Sequence, residues 1–115
     1  MPTPKIIFDT DIGWDCDDAG ALGLLHRLCD AGEAKLLATV HCYDHPYVAG
    51  CLDAINTYYG RPVPVGLNYD QPRNHPDTYA KALCETFENR YPAASIGTSE
   101  GPEDSLALLR RLLSD

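Results

Sequence analysis

The sequence has no apolar run approaching the roughly 20 residues of a membrane-spanning helix. Its N-terminus passes from a short polar lead straight into the brief run Lys5-Ile6-Ile7-Phe8, without the longer apolar stretch of a secretory signal. Both absences argue against a membrane anchor or an exported precursor, and make a soluble, cytoplasmic protein the expectation. Basic residues are scarce: 9 Lys and Arg stand against 17 Asp and Glu, a formal charge of -8. Such a surface repels phosphate backbones and anionic headgroups, which argues against nucleic acid or a membrane as partner. Paired cysteines are missing too. Cys16, Cys29, Cys42, Cys51 and Cys84 are odd in number, widely spaced and contain no C-x-x-C, so they fit neither a disulfide framework nor a zinc site and read as reduced thiols. There is no internal repeat and no low-complexity tract to suggest a solenoid or a disordered tail.

What is present is enough for one domain. A hydrophobic share of 44% in 115 residues supplies a core for a single compact unit and is too little chain for two. Lys5 to Phe8 is short, β-branched and aromatic, and reads as a buried strand. From Asp17 onward Ala21, Leu22, Leu24, Leu25 and Leu28 recur at helical spacing, with acidic residues in the first turn and Gly32 beyond the end. Lys35 to Val40 is a second strand, Pro46 to Tyr59 a second helix and Val63-Pro64-Val65 a third strand. Residues 67 to 76 read as a surface loop, 78 to 90 as a helix through Tyr79, Leu83 and Phe87, and 92 to 101 as a loop. A last helix is predicted from Pro102 to Leu113, with Glu103 and Asp104 in its first turn and Leu106, Leu109 and Leu113 on its packing face. Strands alternating with helices imply an α/β fold with a mostly parallel sheet flanked by helices. A terminal helix with no strand after it suggests a truncated repeat.

The segment Asp9-Thr10-Asp11-Ile12-Gly13-Trp14-Asp15-Cys16-Asp17-Asp18 concentrates carboxylates at the carboxyl end of the first strand, where open α/β sheets bind ligands. Like charges this close repel one another unless a cation holds them. Oxygen donors with no local His or Cys pair suit calcium or magnesium rather than zinc. Gly13 permits a sharp turn between the acidic groups. Asp17 and Asp18 also fall at a helix start, where a carboxylate serves equally well as a cap.

Lys5-Ile6-Ile7-Phe8-Asp9-Thr10-Asp11-Ile12-Gly13, followed by Asp15, Asp17, Asp18 and Ala19, resembles the opening signature of the inosine-uridine type nucleoside hydrolases. The likeness continues through Leu36 to Val40, Asp44-His45-Pro46-Tyr47, Leu52 to Asn56 and Tyr58 to Gly66, and weakens beyond residue 66. It implies the Rossmann-like fold of that family and an N-ribohydrolase using Ca2+: the ion binds the ribose hydroxyls and a water, and the water attacks the anomeric carbon as the base departs. On that resemblance Asp11 is a metal ligand and the general base, Asp18 a main ligand, Asp17 a ribose contact, and Asp9 a weaker ligand or supporting group.

The sequence also departs from the family pattern. Trp14-Asp15-Cys16 stand where the family has a single residue, so Asp15 competes with Asp17 for a place beside Asp18, and Asp15 is a further metal candidate. Asp44 occupies a position where the family often has an asparagine contacting ribose. Trp14 serves either to stack on a nucleobase or to cover the loop. His26, His41, His45 and His75 are candidates for a leaving-group acid or a ligand, and Cys16 lacks a base that would make it a nucleophile. The family's remaining ligands and its leaving-group acid come from later sequence, so this chain is expected to hold half a site, and self-association is among the expectations. Two other readings stand beside the enzyme: a non-catalytic metal-binding relic, and a haloacid dehalogenase-like phosphatase with Asp9 as nucleophile and Asp11 as acid, which Ile12-Gly13 fits poorly.

Overall fold

The computed structural model describes residues 2–73, 76 and 78–114. β-branched and apolar residues favour extended backbone in β1 (Lys5–Thr10) and β2 (Lys35–His41), which α1 (Cys16–Asp30) connects. Then come α2 (Val48–Tyr58), β3 (Val65–Leu67), α3 (Ala80–Thr86), a 3-10 turn at Ala93–Ser95, β4 (Glu103–Asp104) and α4 (Ser105–Leu113). The sheet runs β1-β2-β3-β4 with every neighbouring pair parallel. The fold is therefore α/β with a parallel sheet and flanking helices, compatible with a Rossmann-like arrangement. No described helix is long and apolar enough to cross a membrane.

Side-chain alternation divides the core into two layers. On one face, Leu36, Val65 and Leu67 pack with Leu22 and Leu25 of α1, with Val48, Cys51 and Leu52 of α2, and with Ala80 of α3. On the other face Ala38 and Val40 pack with Leu108 of α4, bordered by Ile7, Leu109 and Leu112. A register slip between Ile6 and Ile7, opposite Leu36 and Ala38, explains how residues of one parity in β2 serve both layers. Gly66 makes the α4 layer close: a Cβ there would stand 3.0 Å from the Ser105 Cα and 3.1 Å from both Leu108 Cδ2 and Val40 Cγ1.

Several boundaries differ from the sequence expectation, each for a local reason. The third strand starts at Val65, not Val63: Pro64 has no N–H to give a ladder, and the Val63 N–H is spent on the Arg61 carbonyl at 2.7 Å. Helix α3 stops at Thr86 rather than 90, because the Asn89 side chain caps the Cys84 and Phe87 carbonyls and Arg90 is drawn to Asp53. Glu103 and Asp104 form a strand beside Gly66 and Leu67 instead of a first helical turn, and Asp104 then caps α4 by accepting from the Ala107 N–H at 3.1 Å. The packing face of α4 is Leu108 with Leu109 and Leu112, whereas Leu106 and Leu113 are exposed. Leu24 of α1 likewise points outward, its place in the core taken by His26.

Polar groups in the core are satisfied: among the described residues no buried side-chain N or O atom lacks a partner. His26 donates from Nε2 to Asn56 Oδ1 (2.7 Å), Asn56 donates to Thr39 Oγ1 (3.1 Å), and Arg61 donates to His26 Nδ1 (2.9 Å) and to Asp30 (2.7 Å). This pattern requires a neutral imidazole, and burial, the dominant influence, holds its pKa below 6.5. Asp53, fully buried on α2, accepts from the Arg90 N–H (2.6 Å), Nε (3.1 Å) and Nη2 (2.7 Å), and Arg90 also reaches the Val63 carbonyl at 2.9 Å. That pair fastens the segment after α3 to α2.

Two outcomes follow for stability. Arg90→Ala leaves the Asp53 carboxylate buried with one partner in place of three, and urea unfolding is expected to show a loss of about 1.5–3 kcal/mol, the range for hydrogen bonds to charged groups; an unchanged midpoint would contradict the fastening role. For His26 the folded pKa lies below the unfolded one, so its contribution is present above 6.5 and is lost as pH falls from there through the folded value. In His26→Gln the fall in urea midpoint between about pH 7 and pH 5 is expected to be smaller than in the parent, and an equal fall would assign the acid sensitivity to other groups.

Candidate active site

The aspartate segment leaves β1 at its carboxyl end and enters α1, and the joint between the two elements is built from side chains of both. Alternation along β1 turns Thr10 into the core and leaves Asp9 exposed. Thr10 donates from Oγ1 to Asp18 Oδ2, the Asp11 N–H reaches the same oxygen at 3.3 Å, and the Ile12 N–H donates to Thr10 Oγ1 at 3.0 Å. One carboxylate in the first turn of α1 thus holds the strand end and the start of the loop together. Asp15 occupies the N-cap position of α1 with no side-chain capping bond, and Asp17 and Asp18 lie in the first turn. The capping alternative is therefore not how Asp18 is used: it faces back to β1. Asp15 precedes the helix while Asp17 lies within it beside Asp18, which separates these two candidates by element.

The rest of the loop is held through its backbone. Gly13 adopts φ +121, a conformation that residues with a side chain rarely adopt, in keeping with the sharp turn expected between the acidic groups. His41 at the end of β2 is buried; its Nε2 is 2.8 Å from the Ile12 carbonyl and its Nδ1 is 3.3 Å from the Tyr43 N–H. Burial is the main cause of its pKa falling below 6.5, in keeping with a neutral ring donating from Nε2. From the far side, the Thr78 N–H donates to the Gly13 carbonyl (2.7 Å), Thr78 Oγ1 to the Trp14 carbonyl (2.7 Å) and the Tyr79 hydroxyl to the Asp15 carbonyl (2.7 Å), while the Gly13 N–H donates to the Tyr79 hydroxyl (3.3 Å). Trp14 is 45% exposed.

The expected site residues do not share one hollow. Asp9 lines a cleft of about 430 Å³ at the carboxyl edge, with Cys42, Asn68, Asp70, Asp104 and Ser105 among its walls. Asp44 lines another, of about 410 Å³, with His45, Pro46, Pro72 and Arg73, and its backbone bridges to Pro72. Burial first, and then the negative charges of Asp11 and Asp9, push the Cys42 thiol up from its ordinary value, which sets both carboxylates in one electrostatic neighbourhood and disfavours a thiolate there. All five cysteines are free. His26 and His41 are committed to structural hydrogen bonds, and His45 is buried with Nδ1 accepting from the Tyr47 N–H at 3.2 Å. His75 lies outside the described residues.

Carboxylate and carbonyl oxygens are the donors a hard cation such as calcium takes. The number of donors is the difficulty. Among the described residues no group of three or more His, Cys, Asp or Glu side chains is arranged to hold a metal ion, and Asp18 Oδ2 already accepts from Thr10 and Asp11. The donor type suits calcium, while the assembled set falls short of the roughly six to eight oxygens that ion takes.

Sequence reasoning missed Thr10, Thr78 and Tyr79. Thr10 was legible, since a strand that exposes Asp9 must bury its neighbour. The contact from Tyr79 spans 64 residues to Asp15 and leaves no local signal. Because φ +121 at Gly13 is strained for any side chain and an added Cβ would lie 3.2 Å from Ala80 Cβ, Gly13→Ala is expected to cost on the order of 1–3 kcal/mol in urea unfolding; a neutral substitution would mean that the turn is not fixed as described. Comparison of the chain with protein-family models, curated proteins and solved structures finds no match.

Proposed function

We propose that the chain carries the ribose-facing edge of an N-ribohydrolase, an enzyme that splits a ribonucleoside and water into base and ribose. The observation that carries this reading is the joint at Asp18: its bonds from Thr10 and the Asp11 N–H gather Asp11 and the Asp17-Asp18 pair at the carboxyl end of β1, the edge where parallel α/β sheets bind ligands. The resemblance of residues 5 to 66 to the nucleoside hydrolases supports the same reaction.

Each role follows from charge. Asp11, exposed beyond the strand, takes the proton of the water that adds to the anomeric carbon. The glycosidic electron pair leaves with the base, and positive charge develops on the sugar. Asp17 accepts a hydrogen bond from a ribose hydroxyl, and its negative charge favours that oxocarbenium-like state. Asp18 is the positioning group, Asp9 and Asp15 are flanking carboxylates, and Trp14 and Asp44 are the candidates for contact with the nucleoside. Calcium, whose donor type the loop offers, would supply polarisation of water and of the sugar hydroxyls when bound.

A second reading is favoured by one observation, that no three metal-binding side chains converge among the described residues: a non-catalytic relic of such an enzyme, which keeps the carboxylates without a full set of ligands. Calorimetric titration of calcium into the chain and into the Asp11→Ala/Asp18→Ala double variant, with hydrolysis of inosine and uridine assayed in parallel, separates the two. The enzyme reading predicts calcium binding abolished by the double variant and turnover falling at least about 100-fold in Asp11→Ala. Calcium binding without turnover marks the chain as half an enzyme, and no calcium binding favours the relic. Binding unaffected by the double variant contradicts both, and phosphatase activity lost in Asp9→Asn would move the reaction to phosphoryl chemistry.

A further inference from the structure

We propose that Tyr79 is the positioning residue of the carboxylate loop: its hydroxyl clasps the Gly13–Asp15 turn and fixes the carboxylates that flank it. The inference rests on the reading of that loop as a cation and ribose site, and deepens it by assigning what keeps the loop in shape. Asp9, Asp11, Asp15, Asp17 and Asp18 repel one another, and the force acts to spread the segment between β1 and α1. Three ties oppose it. Asp18 holds the strand end, His41 holds the Ile12 carbonyl from the sheet at 2.8 Å, and the Thr78-Tyr79 pair holds Gly13, Trp14 and Asp15 from outside.

Among the described residues the Tyr79 hydroxyl spans the turn from end to end, accepting from the Gly13 N–H and donating to the Asp15 carbonyl. Its bonds go to backbone atoms, so the loop is held without any carboxylate being neutralised. The support behind it is firm: Ala80, the next residue, is fully buried in the main core, and the Lys81 ammonium stands 5.6 Å from the centre of the Tyr47 ring.

The test uses Tyr79→Phe, which removes one oxygen and keeps the ring. Hydrogen exchange at the Gly13 amide and acrylamide quenching of Trp14, the single tryptophan, report the loop directly. Terbium, a calcium-sized ion whose emission a nearby tryptophan sensitises, reports cation affinity. The variant is expected to exchange the Gly13 amide about tenfold faster, the factor one hydrogen bond represents, to quench more readily and to bind terbium more weakly, at a thermal midpoint close to the parent's. Exchange and quenching equal to the parent's would overturn the proposal. A parent chain that binds no terbium would overturn the cation reading instead, with exchange and quenching still deciding the role of Tyr79. Should Tyr79→Phe fail to fold, Thr78→Val, which removes the bond to the Trp14 carbonyl, is expected to raise Trp14 quenching in the same direction, and no rise would overturn the clasp.

Discussion

Mutual repulsion among carboxylates is the constraint around which this chain is arranged. Five aspartates within ten residues repel one another at the end of one strand, and the backbone between them is held both from within the segment and from outside it. Asp18 supplies the inner fixture by turning back from α1 to Thr10 and the Asp11 N–H, so a helix start that would ordinarily cap itself holds a strand end instead. Everything that positions Asp18 then matters for the loop. Leu22 and Leu25, in the next turns of α1, anchor that helix to the sheet, and burying each such side chain contributes about 1.5–3 kcal/mol.

The two faces of the sheet carry different duties. The face covered by α1, α2 and α3 holds most of the core and all of the fixtures of the loop: His41, Thr10 and, through the start of α3, Thr78 and Tyr79. The face beneath α4 is thinner, and it opens at the carboxyl edge into the cleft lined by Asp9, Asn68 and Asp104. Asp9 and Asp11 therefore belong to one charged rim but not to one hollow. This division is why the loop offers the right donor chemistry for a hard cation without assembling a complete set of ligands.

Much of this architecture is legible in the sequence, because its causes are local. The runs Lys5 to Phe8 and Lys35 to Val40, the apolar spacing after Asp17 and the glycine between acidic residues are all short-range signals, and each produced the element it predicts. The parallel sheet followed from their alternation. Errors collected where distant residues decide: Arg90 leaves α3 early to reach Asp53, Asp104 pairs with Leu67 before capping α4, and Leu24 faces solvent while His26 is drawn inward by Asn56 and Arg61. The site shows the same limit. Its carboxylates were visible as a cluster, but the residues that hold them come from β1, from β2 and from the segment just before α3, and nothing near Asp15 announces Tyr79.

We propose that a cation and ribose meet this chain at the carboxyl edge of β1 and β2. Titrating calcium into the isotope-labelled protein while following backbone amide shifts tests it most directly, since the surface carries many other carboxylates that could bind weakly. The account predicts that the largest shifts fall on residues 9 to 18 and 42 to 44 and saturate together. Shifts scattered over the acidic residues of the exposed helices, or absent from residues 9 to 18, would contradict it.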